Sequence, residues 1–383
     1  MVRPRTTMKE TSVNKVRVAL TDASYQTMDS SVNKLMEALD LQSWLQGLKD
    51  KKVFIKPNLL GVFPTEKHVT TSPELVKSVV CLVREFGAQV TVGDNCGVGG
   101  YGLNEHVAKH TGIIEAAQGA YKNVAKKTIP VQLNSQYVGS VVVSRDILEA
   151  DVLISLPVMK THGLTIVTGA VKNMFGILAG GGKGRLHAAA SSAQDFGRVV
   201  AEIFAIRPPD LTIMDAVTAM EGYGPSAGKP KWVGKILASR NAVALDAVVC
   251  RIMGIMPDQV HHIREAWLLG HGPIDAGSID VVGELPQNLN FKVPIEANKI
   301  KLMRIISRRF FGTLVRSKLK LKKKKCKKCE LCVEGCPTGA MSMNELPQID
   351  QQKCIRCLCC YEICPESAWE IRGIMRRLQG RSV

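Results

Sequence analysis

The chain has 383 residues, 45% hydrophobic and 22% charged, enough for two or three domains with real cores and too apolar for a disordered chain. No run reaches the roughly 18 consecutive apolar residues of a membrane span. The start, MVRPRTTMKETSVNK, lacks the apolar centre of a secretory signal, so a soluble cytoplasmic protein is the expectation. The formal net charge of +17 is uneven, because eleven Lys or Arg and no acid fall between Ile300 and Lys325.

From residue 14 to 290, short apolar, β-branched runs alternate with stretches of helical periodicity. The runs are Val16–Leu20, Val53–Ile55, Gln89–Val92, Asp151–Leu156 and Leu211–Met214, and the periodic stretches include Val32–Leu45 and Glu74–Phe86. Continuous apolar strands separated by helices indicate an α/β fold, a mostly parallel sheet sandwiched by helices. The ends of these runs carry functional residue types. VFI leads into Lys56-Pro57-Asn58 and VTV into Gly93-Asp94-Asn95. VLISLP leads into Val158-Met159-Lys160-Thr161-His162, and LTIM into Asp215, with Glu221 soon after. In open α/β sheets ligands bind beyond the carboxyl ends of the strands, so these residues are expected to converge on one cleft, although strand ends are also ordinary polar turns.

A helix starting near Thr165 would place Val167, Val171, Met174 and Leu178 on an apolar stripe and Lys172 at its margin. Lys160 and His162, on the preceding turn, would then sit near a helix N-terminus, where an anion is favoured. A carboxylate or phosphate ligand fits that arrangement, and so does a structural histidine at a turn. Other motifs are weaker. Gly97-Val98-Gly99-Gly100-Tyr101-Gly102 follows its strand too late for a dinucleotide fingerprint. Gly180-Gly181-Gly182-Lys183-Gly184-Arg185 has no Ser or Thr after its lysine, and reads as a basic loop, a lid or anion nest, and not a P-loop. His106 and His110 lack the glutamate of a metalloprotease pair, since Val107 follows His106.

Residues 291–325 read as a basic linker in which Ile300, Met303, Ile306, Phe310 and Leu314 recur at helical spacing. Such a helix over 300–325 could contact an anionic membrane surface or an acidic protein, or simply place positive charge beside an anionic cofactor. No recognition motif supports nucleic acid binding.

Of twelve cysteines, nine crowd into residues 326–364. CKKCELCVEGCP at 326–337 and CIRCLCCYEICP at 354–365 both have the C-x2-C-x2-C-x3-C-P spacing of two-cluster ferredoxins. The fourth cysteine of each quartet serves the other cluster. One 4Fe–4S cluster is therefore assigned to Cys326, Cys329, Cys332 and Cys364, and the second to Cys354, Cys357, Cys360 and Cys336. Zinc sites use four ligands with a longer gap between two pairs, and two full quartets ending in Cys-Pro fit iron–sulfur far better. Cys359 fits neither quartet. Lys322–Lys325, Lys327 and Lys328 flank the first quartet and favour its reduced, more anionic form.

With these residues in view, the chain resembles the family named domain of unknown function 362, in the form fused to a two-cluster ferredoxin module. The resemblance is carried by IKPNLL at 55–60, ADVLISLPVMKTHGLTIVTGAVKNMFG at 150–176, IMDAVTAMEGYGPSAGKP at 213–230, ASRNAVALDAV at 238–248 and both quartets. It implies an α/β domain over 1–290, the linker over 291–325 and an α+β two-cluster module over 326–383. It also implies that Lys56, Asn58, Lys160, His162, Lys172, Asn173, Asp215 and Glu221 share a site. Two functions remain open. One is an oxidoreductase passing single electrons through the clusters to an anionic substrate, or to a second cofactor such as a flavin or nucleotide. There Lys160 and Lys172 would bind the anion, His162 would move a proton, and Lys56, Asn58, Asp94, Asn173, Asp215 and Glu221 would line the cofactor. The other is a non-catalytic carrier or maturation factor serving a soluble partner protein. Oligomeric state is not legible.

Overall fold

A computed structural model describes residues 15–97, 103–179, 182–190, 192–287, 289–294, 318–334, 336, 338–354, 360, 364, 366 and 368–372. The strands of the α/β domain are β1 (Val16–Asp22), β2 (Lys52–Pro57), β3 (Gln89–Val92), β4 (Thr128–Gln132), β5 (Ser140–Ser144), β6 (Val152–Leu156), β7 (Val158–His162), β8 (Ile166–Val167), β9 (Leu211–Glu221), β10 (Lys229–Ser239) and β11 (Ile279–Val282). Its helices are α1 (Met28–Ala38), α2 (Gln42–Gln46), α3 (Pro73–Glu85), α4 (Leu103–His110), α5 (Ile113–Ala116), α6 (Arg145–Leu148), α7 (Gly169–Asn173), α8 (Gly182–Ala189), α9 (Ala193–Ile206), α10 (Ala242–Ile252) and α11 (His261–Leu268).

The central sheet runs β11-β1-β10-β9-β6-β2-β3, with β7 beside β9 and β8 on β7. It is mostly parallel, as expected, and the antiparallel β9–β10 hairpin and the β1–β10 pairing are the exceptions within the main sheet. Alternate residues of one strand enter opposite cores. Val18, Leu153, Met214 and Leu237 pack under α7, α9, α10 and α11, while Ala19, Ile154, Ile213 and Ile236 pack under α1, α3 and α5. This alternation is the period-two signature of a sheet covered on both faces.

Three expectations need correction. The periodic stretch Val32–Leu45 is two helices, broken where Asp40 takes a left-handed φ of 55°. The run at 211 does not end at Met214 but continues through Glu221, fully buried, so Asp215 lies within a strand. The segment holding Lys160 and His162 is also a buried strand, not a turn before a helix. Its helix begins at Gly169 instead of Thr165 because β8 first returns along β7. Lysine and histidine in a fully buried strand have no polar–apolar alternation to betray them.

The cysteine-rich region contributes β12 (Lys318–Leu321), α12 (Leu331–Glu334), β13 (Met341–Met343), β14 (Pro347–Ile349) and β15 (Trp369–Arg372). Strand β12 pairs antiparallel with β15, so Lys318 and Lys320 form part of the module's own sheet, and Lys323–Lys325 make a short 3-10 turn before the first quartet. The rest of the expected basic helix, 300–317, lies outside the described residues. No helix among the described residues is long and apolar enough to cross a membrane.

Candidate functional site

One cavity is lined by Cys326, Cys329, Cys332 and Cys364, together with Leu321, Met343, Pro347 and Trp369. Three of the four thiols come from one quartet and the fourth crosses from the other, the ligand set expected for the first cluster. Among the described residues no three His, Cys, Asp or Glu are placed to hold a single metal ion. A cluster with several irons needs its thiolates spread around a cavity, and these thiols are so arranged. Burial pushes the Cys332 thiol up to about 11 and raises Cys364 as well, so iron must displace a proton to bind. The Ala340 N–H donates to Cys336 Sγ and the Ala368 N–H to Cys364 Sγ, each at 3.2 Å. These are equivalent positions of the two cysteine repeats. Of the second set, Cys336, Cys354 and Cys360 are part-buried, and Cys357 and the extra Cys359 lie outside the described residues.

The module's small core does not close on itself. Cys332, Met341, Cys364, Ala368 and Trp369 also pack Leu164, Tyr223 and Ala227 of the α/β domain. Those three residues flank His162 and Glu221. The first cysteine cavity therefore belongs to the same packed unit as the turns that follow β7 and β9.

In the α/β domain the expected residues are mostly buried and already engaged. Lys56 Nζ lies 2.7 Å from Asp94 Oδ1, at 0% and 3% side-chain exposure. Burial lowers the Lys56 pKa, and Asp94 opposes the shift. Gly176 presses its backbone against this pair, where an added Cβ would fall 2.3 Å from Asp94 Oδ1. Lys160 Nζ donates to Asn58 Oδ1 and to the Val69 carbonyl, both at 2.6 Å. Asp215 accepts the Ser72 N–H at 2.9 Å and the Val217 N–H at 3.3 Å, and burial raises its pKa. Asn173 Nδ2 donates to Ser155 Oγ at 2.9 Å, leaving Asn173 Oδ1 buried without a hydrogen bond.

His162 is the most constrained. Its Nδ1 accepts the N–H groups of Leu164 at 3.0 Å and Thr165 at 3.2 Å. An accepting Nδ1 must keep its lone pair, so the neutral ring carries its proton on Nε2. The turn that delivers these amides ends at Ile166, held at φ 70°. A β-branched residue there costs about 1–3 kcal/mol, which the surrounding packing must sustain.

Glu221 stands apart from the lysines of the other strand ends. It accepts the Lys292 N–H at 3.0 Å and pairs with Lys231 at 3.1 Å, while the Gly222 N–H donates to the Lys292 carbonyl at 2.6 Å. Burial raises its carboxyl, but these donors outweigh burial and hold it below the usual range. Lys160 and Asn58 thus bond each other, whereas Lys56, His162, Asn173 and Asp215 bond groups outside the expected set, and Glu221 fastens the segment after the α/β domain.

Asp246 and His262 were missed by the sequence reading, and Lys183, read there as part of a basic loop, lies on α8. Lys183 donates to the carbonyls of Asn95 and Cys96. Asp246 accepts the Ala170 N–H at 2.6 Å and the Val171 N–H at 2.9 Å at the start of α7, and burial raises it to about 7. His262 Nε2 donates to the Thr168 carbonyl at 3.2 Å, and burial, with Lys172 beside it, lowers its pKa to about 3. A lone acid inside the apolar run AVALDAVV was the available signal for Asp246.

Comparison with known proteins separates the same two regions. The family model described as domain of unknown function (DUF362) matches residues 53–251, and one described as a 4Fe-4S dicluster domain matches 318–365. A thylakoid-associated protein of Synechocystis sp. is 32% identical over 227 residues, 59% of this chain and 70% of that one. The lactate racemase apoprotein from Thermoanaerobacterium thermosaccharolyticum is 14% identical over 63% of this chain and 57% of that chain, with a TM-score of 0.41. A protein from Thermotoga maritima is 13% identical over 65% of this chain and 59% of that chain, with a TM-score of 0.35. The chain spans less than two thirds of either solved chain.

Proposed function

The chain belongs to the DUF362 family and carries a 4Fe–4S dicluster domain with an iron–sulfur electron-transfer role, and on that premise we propose that it is an oxidoreductase. It would exchange single electrons with an anionic substrate, or a second cofactor, at the strand ends of the α/β domain. The observation that carries this reading is the shared core, in which the cysteine cavity packs on Leu164, Tyr223 and Ala227 beside His162 and Glu221. When bound, two 4Fe–4S clusters supply one-electron chemistry that side chains alone lack. Cys326, Cys329, Cys332 and Cys364 would hold one, and Cys354, Cys357, Cys360 and Cys336 the other. Leu164 and Tyr223, half-buried, pack with Trp369 between the cysteine cavity and the turn after His162. His162 acts as a donor through Nε2, because taking a second proton at Nδ1 would require it to give up both amide bonds. The second reading, a carrier or maturation factor that serves a partner protein, draws support from the engagement of Lys56, Lys160 and Asp215 by Asp94, Asn58 and Ser72 inside the domain.

Anaerobic reconstitution tests the cluster assignment and should give about eight irons per chain. Cys332→Ser and Cys364→Ser should each remove the same cluster, and Cys336→Ser the other, as read by electron paramagnetic resonance. Bound zinc with no iron overturns both readings. To separate them, reduced protein is mixed with FMN, FAD or NADP. Reoxidation that slows at least ten-fold in Leu164→Asp and His162→Gln supports the enzyme. Failure to reoxidise with any small acceptor, alongside transfer to a partner protein, supports the carrier.

A further inference from the structure

The loop after β3 gathers more buried positive charge than it neutralises. Lys56 reaches it from β2 and meets Asp94 at 2.7 Å. Lys183 reaches it from α8, and its ammonium meets only the carbonyls of Asn95 and Cys96 among its hydrogen-bond acceptors. Lys56, Asp94 and Lys183 are 0%, 3% and 8% exposed. Two ammonium groups and one carboxylate thus share a loop sealed from water. Lys172, half-buried on α7, lies close enough to act on Lys183, which burial first, then Lys56 and Lys172, push down to about 8. Among the described residues no second buried acid pairs with Lys56 or Lys183. Burial raises the Cys96 thiol, which stays neutral, and the same holds for the Tyr121 hydroxyl near Cys96 and Asp94. The remaining acid in the field of Tyr121 is the exposed Glu105. The Tyr121 hydroxyl oxygen is itself buried with no hydrogen-bond partner. Buried cations are unfavourable unless an anion or a full set of acceptors reaches them.

We propose that Lys56, Lys172 and Lys183, with the Tyr121 hydroxyl, form a binding site for the oxyanion group, phosphate or carboxylate, of a small ligand. The site is distinct from Lys160, whose ammonium is held by Asn58 and Val69. Asp94 fixes Lys56, and Lys172 is half-buried, more exposed than Lys56 or Lys183. This deepens the substrate class of the function proposed above, but binding itself requires no electron transfer.

Calorimetric titration of the full-length, cluster-loaded protein with inorganic phosphate and with malonate tests it, with thermal denaturation in parallel. Saturable binding of at least one anion is expected, with a raised melting temperature. Lys183→Met and Lys172→Met should each weaken it ten-fold or more, Tyr121→Phe several-fold, and the surface change Lys34→Met not at all. Phosphate binding alone marks a phosphate ligand, and malonate binding alone a carboxylate. Should Lys183→Met not fold, Lys172→Met and Tyr121→Phe decide. The proposal is overturned if neither anion binds, or if binding survives those two changes unaltered, the lysines then being structural. Loss of electron transfer with intact anion binding would sink the oxidoreductase reading and leave this one standing.

Discussion

The iron–sulfur module and the α/β domain hold their chemistry in opposite ways. In the module, the described buried core is Cys332, Met341, Cys364, Ala368 and Trp369, so two of its five members belong to the cysteine quartets. In the α/β domain, two large apolar cores surround charges whose partners are remote in sequence, 102 residues away for Lys160 and Asn58 and 143 for Ser72 and Asp215. The module's fold should depend on its cofactor, whereas the α/β domain's charges depend on their fold. A small core held by metal should fail with the metal, and a buried ion pair should fail with its partner.

The largest effect should come from removing iron. Anaerobic chelation should abolish protease resistance beyond residue 318 while the α/β domain stays resistant. A module that keeps its resistance without iron would erase the contrast. Next, Asp94→Ala strands the buried Lys56 ammonium and should cost about 3–5 kcal/mol in denaturant unfolding. A cost near that of a surface change would mean that the pair is not sealed.

The pH dependence sharpens the same point with two buried groups of opposite sign. Burial depresses His262 to about 3, so its contribution is fully present above pH 6.5 and is lost as pH falls towards 3. Burial raises Asp246 from 3.8 to about 7, so its contribution is fully present below pH 3.8 and is lost as pH rises through 7. Each is worth up to about 4 kcal/mol at full extent. Unfolding curves of His262→Gln and Asp246→Asn against the parent protein should therefore diverge in opposite directions between pH 4 and 7. Parallel curves would show that neither group is desolvated as placed. The smallest effect belongs to the exposed Arg17–Asp280 pair, where Asp280→Asn should shift stability by at most about 0.5 kcal/mol.

What was legible in the sequence follows the same division. The dicluster domain could be read because cysteine spacing is local, and Cys364 lines one cavity with Cys326, Cys329 and Cys332. The layered sheet could be read because β1, β2, β3 and β6 are short apolar runs with helices between them. The β9–β10 hairpin was hidden, since β9 is buried along its whole length and shows no alternation at Asp215 or Thr218. The position of His162 was hidden for the same reason, and its tautomer depends on a turn whose φ at Ile166 no propensity suggests. Asp246 and Lys183 act on backbone groups 75 or more residues away, contacts that only the assembled sheet creates.

The shared core at Leu164, Tyr223 and Ala227 also bears on the order in which the molecule is made. Synthesis runs from the amino end, and domains fold as units as they emerge. The surface formed by residues 164, 223 and 227 can exist before the first cluster cysteine has been added at 326. A nascent cysteine-rich segment, poor in core of its own, then meets a finished apolar platform on which Trp369 and Met341 can settle. The α/β domain is in that sense an assembly jig for the module, and the module made alone would lack half of its mould.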